Sequence, residues 1–198
     1  MTHADRVLDH ARAVGVVRSK DLAPLGIPRQ VLARLHRRGV LDRVGRGLYV
    51  LPEARVTEHH TLAEVARRVP GGVICLLSAL RFHGLTTQDP FDVWVAIAHK
   101  AWRPQTETLA LRIVYASGEA LTYGVQTHDV EGVSVPIYSP AKTVADCFKY
   151  RSRVGLDVAI EALRDYRASA DFDADALWRA AQVCRVATLM RPYLEAVA

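Results

Sequence analysis

The first forty residues group their apolar positions at helical spacing. Residues 4–14 form one such segment, and its apolar positions are Val7, Leu8, Ala11 and Val14. They recur on one face at the 3.6-residue period, which predicts a first helix. Ser19 is expected to cap a second, short helix over residues 20–25. The sequence Leu25-Gly26-Ile27 then predicts a tight turn that leads into Pro28.

A third segment begins at Pro28 and has two unlike faces. Proline is tolerated at the first helical position, and Gly39 is expected to end the helix. One face is apolar and consists of Val31, Leu32 and Leu35. The opposite face contains Arg29, Gln30, Ala33 and Arg37, flanked by Arg34. Arginine and glutamine side chains can hydrogen-bond guanine and adenine in the major groove. Considered alone, this face could equally be a solvated basic surface.

The residues that follow this helix favour DNA recognition over a solvated basic surface. Residues 40–44 and 48–51 predict two short strands, joined by Gly45-Arg46-Gly47. A helix pair, a basic third helix and a hairpin, in that order, are typical of a winged helix-turn-helix that binds duplex DNA. Arg46 at the hairpin tip, supported by Arg43 and Lys20, is expected to meet phosphate or the minor groove. The predicted DNA-binding residues are Ser19, Lys20, Arg29, Gln30, Arg34, Arg37, Arg43 and Arg46.

The charge distribution supports this placement. Residues 1–56 contain 11 Lys and Arg against 5 Asp and Glu, a net charge of +6. Residues 57–198 contain 15 against 16, a net charge of −1. A basic excess confined to one segment is expected of a phosphate-binding module on a near-neutral body. We therefore predict a DNA-binding domain over residues 1–56 and a second domain over residues 57–198.

Composition and the cysteine positions indicate the expected compartment of the protein. Half of the residues are hydrophobic, yet no apolar run approaches a membrane span, and the N-terminus does not resemble a signal peptide. Cys75, Cys147 and Cys184 lie far apart in apolar surroundings, which indicates buried free thiols rather than disulfides or zinc ligands. The expected location is the cytoplasm, with no membrane partner.

The second half of the chain predicts strands followed by a run of helices. The expected helices are a segment capped by Thr57 that ends before Pro70, then residues 78–83, 140–150, 154–167, 174–183 and a short last one. The expected strands are residues 91–98 and 111–116 and a hairpin of 125–130 with 133–138, while residues 73–77 could be strand or helix. This order predicts an α+β domain with a mixed or antiparallel sheet.

We find little sign of catalysis or metal binding. A restriction-type nuclease would need an acidic residue two positions before Lys100, where this chain has Ala98. A calcium loop at Asp171, Asp173 and Asp175 lacks its glycine and closing glutamate, so helix capping is favoured. His60 and Glu64 lack a third ligand nearby, which favours an ordinary surface pair. We predict no enzyme activity, no cofactor and no metal.

Several strings resemble the AbiEi family of antitoxin repressors, from bacterial abortive-infection toxin–antitoxin systems. In the first half they are Ser19-Lys20-Asp21-Leu22, Gly26-Ile27-Pro28 and Gly39-Val-Leu-Asp-Arg-Val-Gly-Arg-Gly-Leu-Tyr49. In the second half they are Leu77-Ser78-Ala79-Leu80, His83-Gly84-Leu85, Val93-Trp-Val-Ala-Ile97, Ser139-Pro140-Ala-Lys-Thr143 and Asp146-Cys147. These strings span nearly the whole chain.

The resemblance implies two activities. The N-terminal domain would repress the chain's own operon by binding inverted repeats in double-stranded operator DNA, and the C-terminal domain would counteract a nucleotidyltransferase-type toxin. The family needs no stable complex with the toxin, and self-association on DNA stays open. We take the helix opened by Ser139-Pro140 and the next helix as candidate surfaces for neutralising the toxin. Their residues are Lys142, Thr143, Asp146, Arg153, Asp157, Glu161 and Arg164.

Two alternatives stay open at this point. One is a plain transcription factor whose C-terminal domain senses a ligand or forms a dimer, which the sequence does not separate from an antitoxin. The other is a DNA nuclease targeted by a winged helix, against which Ala98 argues. We expect residues 57–198 to fold without the DNA-binding domain.

Overall fold

Two compact units make up the chain. The structure, a computed structural model, describes residues 2–52, 59–102, 104 and 109–196. The first unit comprises residues 1–68 and 128–135, and the second comprises residues 69–127 and 136–198. The predicted domain boundary at residue 56, like the predicted cap Thr57, lies outside the described residues. That boundary stays a prediction.

The first unit is a winged helix. Its elements are α1 (His3–Val14), β1 (Val17–Arg18), a 3₁₀ turn (Ser19–Leu22), α2 (Gln30–Arg37), β2 (Asp42–Gly45), β3 (Leu48–Val50) and α3 (His60–Arg68). The strands form an antiparallel sheet in the order β1-β3-β2. The predicted hairpin is thus confirmed. Strand β1 is too short to have a recognisable alternation, and the sequence did not reveal it.

Two helix starts differ from the sequence prediction. Helix α2 begins at Gln30 rather than Pro28, because the amides of Val31 and Leu32 bond three residues back, in a 3₁₀ turn. Ser19 lies inside a 3₁₀ turn instead of capping a longer helix. The 3₁₀ turn ends at Leu22, and Pro24 two residues later lacks the amide that a continuing helix needs.

A small apolar core holds the first unit together. Buried side chains from all three helix-turn-helix segments and the sheet meet in it, including Val7, Ala11, Val17, Leu22, Ile27, Val31, Leu32, Leu35, Leu41 and Tyr49. Val31, Leu32 and Leu35 of α2 are 5%, 0% and 3% exposed. Because all three are buried, the rotation of α2 about its own axis is fixed, and its opposite face must point to solvent.

Residues 128–135, the tip of the predicted hairpin of 125–130 with 133–138, also belong to this unit. Gly15, at the end of α1, has φ +67°, and a Cβ built on it would lie 1.5 Å from the Glu131 carbonyl oxygen. The Glu131 side chain in turn lies 2.6 Å from His60 Nδ1 of α3. Glu64 pairs with Arg68 at 2.8 Å and is buried, so the expected surface pair of His60 with Glu64 is wrong.

The remaining elements form a mixed sheet covered by helices. The strands are β4 (Val73–Ile74), β5 (Val93–Ala98), β6 (Leu111–Ala116), β7 (Val125–Val130) and β8 (Val133–Tyr138). The helices are α4 (Leu76–Phe82), α5 (Glu119–Thr122), α6 (Pro140–Lys149), α7 (Arg151–Val154), α8 (Leu156–Ala168), α9 (Ala174–Val183) and α10 (Ala187–Ala196). The sheet order is β6-β5-β4-β8-β7, with β4 antiparallel to β5 but parallel to β8. The predicted α+β class is confirmed.

Helix α6 is buried almost completely, and this corrects one expectation. Lys142, Thr143 and Asp146 are 1%, 0% and 4% exposed, so they do not lie on a surface as predicted. Lys142 Nζ lies 2.5 Å from Asp146 Oδ2, and the Cys184 thiol lies 3.2 Å from the other carboxylate oxygen. The ammonium also lies 4.1 Å from the centre of the Tyr138 ring. Two charges four residues apart on a helix neutralise each other, and sequence spacing alone does not distinguish a buried pair from an exposed one.

Removing one member of this pair should destabilise the protein strongly. Asp146→Ala leaves the Lys142 ammonium buried without a counter-charge, which costs about 3–5 kcal/mol. The double variant Lys142→Met/Asp146→Leu should recover most of that loss. Denaturant unfolding of the full chain measures both, with the exposed Asp165→Ala on α8 as a control that should change stability by less than about 0.5 kcal/mol. An equal loss in the single and double variants would contradict the interpretation.

Candidate DNA-binding surface

Helix α2 presents the predicted basic face to solvent. Arg29, Gln30, Arg34 and Arg37 are all exposed, and Ala33 between them is exposed as well. The helix ends at Arg37, and Gly39 follows with φ +69°, as a helix terminator does. This face therefore combines long cations, an amide and one small residue at which the backbone can approach a base pair closely.

Two further polar residues of this segment were not singled out from the sequence. His36 and Arg38 are both exposed. His36 Nδ1 lies 3.0 Å from the Leu41 carbonyl oxygen, and its ring meets the Tyr49 ring edge-on. His36 thus links the end of α2 to the sheet. The run His36-Arg37-Arg38 indicates a basic segment in the sequence, but helical periodicity places only Arg37 on the predicted DNA-binding face.

The wing is a tight, cationic hairpin. Arg43 pairs with Tyr49 and Gly45 with Leu48, with an irregularity in register between them. Gly47 has φ +73°, which a glycine adopts without strain. Arg43 Nε donates to the Gly45 carbonyl oxygen at 3.2 Å, which ties this side chain to the wing backbone. Arg46 is exposed and has no hydrogen-bond or ionic partner among the described residues.

Ser19 and Lys20 lie beside the wing. The Ser19 amide donates to the Gly47 carbonyl oxygen at 3.0 Å, and a Cβ on Gly47 would lie 3.3 Å from Ser19 Oγ. Ser19 is half-buried, and its contacts join the 3₁₀ turn to the hairpin tip, whereas Lys20 is exposed. The structure thus brings the two predicted residues next to the wing, one as a support and one facing solvent.

Helix α3 braces the same region through charge pairs. Arg67 Nη1 donates to Asp21 at 2.9 Å, and Asp21 also accepts from the Arg18 amide at 3.0 Å. A Cβ on Gly45 would lie 1.5 Å from Arg68 Nη2, so the Arg68 guanidinium lies directly against the wing strand. These partners are far apart in sequence, and no local pattern indicates them.

Burial shifts the pKa values of two charged residues in this region, Glu64 and Arg18. It raises the pKa of Glu64, and Arg68 beside it opposes that shift only in part. Burial likewise lowers the pKa of Arg18, against the attraction of Asp21. Neither shift makes a reactive group. Both residues make structural contacts, Glu64 with Arg68 and the Arg18 amide with Asp21.

Within the residues that the structure describes, the three thiols and the aspartates at positions 171, 173 and 175 show no catalytic arrangement. Cys75, Cys147 and Cys184 are free and buried, as expected, and burial raises the pKa of Cys184 to about 12. A thiol with such a pKa is a poor nucleophile. Asp173 caps α9 by accepting from the Ala176 amide at 2.9 Å, which confirms the capping interpretation. Among the described residues, no cluster of three candidate metal ligands occurs.

The remaining candidate residues of the second unit are accessible. Arg153, Asp157 and Arg164 are exposed, and Glu161 is half-buried. The Arg153 guanidinium lies 5.6 Å from the centre of the Trp94 ring, and Glu161 accepts from Thr87 Oγ1 at 3.3 Å. They lie on α7 and α8, whereas the buried candidates Lys142, Thr143 and Asp146 lie on α6.

These features define the first unit as a winged-helix DNA-binding domain of a transcriptional regulator. Residues 5–52 match the family model described as transcriptional regulator, AbiEi antitoxin. The match covers α1 through β3, the segment that contains every predicted DNA-binding residue. The resemblance inferred from the sequence is confirmed over that segment, and with it the DNA-binding regulator role.

One solved structure is similar over nearly the whole chain. The crystal structure of the RV2827C protein from Mycobacterium tuberculosis superposes with a TM-score of 0.58 at 16% sequence identity. The alignment covers 98% of this chain and 77% of that chain. This likeness supports the fold. No curated protein matches the chain significantly. In the described part of the chain, no helix is both long enough and apolar enough to cross a membrane.

Proposed function

We propose that this protein binds inverted repeats upstream of its own operon through α2 and the wing, and thereby represses transcription. The observation that carries the proposal is the division of α2 into a buried apolar face and an exposed basic one. In this proposal Arg29, Gln30, Arg34 and Arg37 enter the major groove. Arg46, Arg43 and Lys20 contact the phosphate backbone or the minor groove.

Substitutions on α2 should reduce both affinity and sequence preference. Arg29→Ala and Arg37→Ala each remove an exposed guanidinium and leave the apolar face intact, so the fold should persist. Loss of a base contact costs about 1–3 kcal/mol of binding free energy and relaxes specificity at that position. Titration of operator and scrambled duplexes measures the effect, with Arg191→Ala in α10 as the matched control. Normal operator binding by both variants would show that α2 is not the recognition helix.

Substitution in the wing should have a different signature. Arg46→Ala should weaken binding to operator and to random duplex equally, because a phosphate contact has no sequence preference. It should also reduce the slope of log affinity against log salt by about one unit. Affinities measured over a range of salt concentrations test this. A loss confined to the operator would contradict the assignment.

We further propose that the protein counteracts a nucleotidyltransferase-type toxin through its second unit. Three observations support this: the resemblance of the motifs in the second half, the family match of the first unit, and the concentration of basic charge outside the second unit. Arg153, Asp157, Glu161 and Arg164 are the candidate residues that solvent can reach. A stable complex with the toxin is not required by this proposal.

The two activities should separate by mutation. Expressed from an independent promoter, the full-length Arg29→Ala/Arg46→Ala variant should lose operator binding and still protect cells that express the toxin from the adjacent gene. Arg153→Glu/Arg164→Glu should have the opposite effects. Growth scores and operator titrations measure the two properties. Loss of protection in the Arg29/Arg46 variant, at equal protein level, would contradict a division of labour. The full chain is used because α3 and residues 128–135 lie with the first unit.

A further inference from the structure

The second unit contains an open cavity that the proposed function does not use. Its volume is about 890 Å³, and all of its lining residues belong to the second unit. The walls are the end of β6, the start of α5, the junction of α6 with α7, and the turn from α9 to α10. Sites for small molecules typically have volumes of about 300–1,000 Å³. The cavity is therefore large enough for a metabolite.

Three cations line this cavity: Lys149, Arg151 and Arg185. In the described part of the chain, none of them has a carboxylate within salt-bridge distance. The Arg151 guanidinium donates to the Phe148 carbonyl oxygen at 3.2 Å, and Lys149 Nζ lies 5.5 Å from the Tyr150 ring centre. These contacts orient the cations without neutralising them.

The carboxylate in the lining is already paired. Glu119 lies 3.3 Å from Arg179, which is not part of the lining, and both side chains are exposed. The electrostatic balance of the cavity is thus cationic, which favours an anionic ligand. Arginine and lysine side chains commonly bind phosphate groups, because they donate charge-assisted hydrogen bonds to the phosphate oxygens.

The backbone at one of these cations is unusual. Arg185 has φ +59°, a conformation that non-glycine residues adopt at a cost. The turn is held by hydrogen bonds from the Arg185 amide to Gln182 O at 3.0 Å and from the Val186 amide to Ala181 O at 2.8 Å. A glycine would adopt this conformation without strain, and an arginine here instead places a cation in the cavity wall.

Aromatic side chains accompany the cations. Tyr115 and Tyr150 both line the cavity, and Tyr115 is 43% exposed. An exposed tyrosine ring offers a stacking surface to a nucleobase. We propose that this cavity binds a free nucleoside phosphate, with its phosphates at Lys149, Arg151 and Arg185 and its base against Tyr115.

Calorimetric titration of the full-length protein tests this proposal. The probes are ATP and GTP, with the corresponding nucleosides and inorganic phosphate for comparison, in buffer without divalent metal. At least one nucleotide should bind, and Lys149→Gln and Arg185→Gln should each weaken its binding at least about tenfold, the effect of losing one charge-assisted contact. Tyr115→Ala should weaken nucleotide binding more than phosphate binding. Arg191→Gln, an exposed arginine outside the cavity, is the matched control and should bind normally.

The wing provides the second control, because its cations could also bind phosphate. Arg46→Ala should leave nucleotide binding unchanged. No binding by either nucleotide, or equal loss in Arg46→Ala and Lys149→Gln, would overturn the proposed site. Inorganic phosphate binding as tightly as the nucleotides would overturn the assignment of a nucleoside. Circular dichroism spectra of the variants verify that each is folded.

Discussion

Burial of Val31, Leu32 and Leu35 is the interaction on which the DNA-binding surface depends. Each of these side chains contributes about 1.5–3 kcal/mol when fully removed from water. Since all three lie on one side of α2, their burial allows only one rotation of the helix against α1 and the sheet. The exposed cations need no specific contact to hold them outward. Their direction follows from the apolar packing behind them, and this is why so short a helix can present a defined basic face.

The wing depends on a second, polar layer. The Ser19 amide bonds to Gly47, Arg43 bonds to Gly45, and Arg67 of α3 binds Asp21 beside β1. These contacts hold the hairpin against the 3₁₀ turn, while the Arg46 side chain at its tip is exposed. A guanidinium on a fixed backbone, with a flexible side chain, is suited to phosphate oxygens whose positions vary from one DNA sequence to another.

The sequence predicted most elements because their bounds depend on hydrophobic periodicity and on turn residues that are close in the chain. Strands 111–116, 125–130 and 133–138 and helix 174–183 have the predicted bounds, since turn or capping residues such as Gly118, Gly124, Glu131-Gly132 and Asp173 lie at or near their ends. The exposed face of α2 followed from periodicity in the same way. The predictions are wrong where burial or contacts depend on residues that are distant in the sequence. The burial of Lys142 and Asp146 depends on packing that brings Cys184 and Tyr138 onto α6. The contacts of α3 with Asp21 and the packing of Glu131 at Gly15 likewise join segments far apart in the chain.

The central claim is that α2 and the wing form the DNA interface of the whole chain. The most direct measurement is an NMR titration of the isotope-labelled full-length protein with a duplex from the region upstream of its own gene. The account predicts that the amide signals of residues 30–37 and 45–47 shift most, while those of α8, residues 156–168, stay near their free positions. Shifts concentrated in α8, or none in α2 and the wing at saturating DNA, would contradict it.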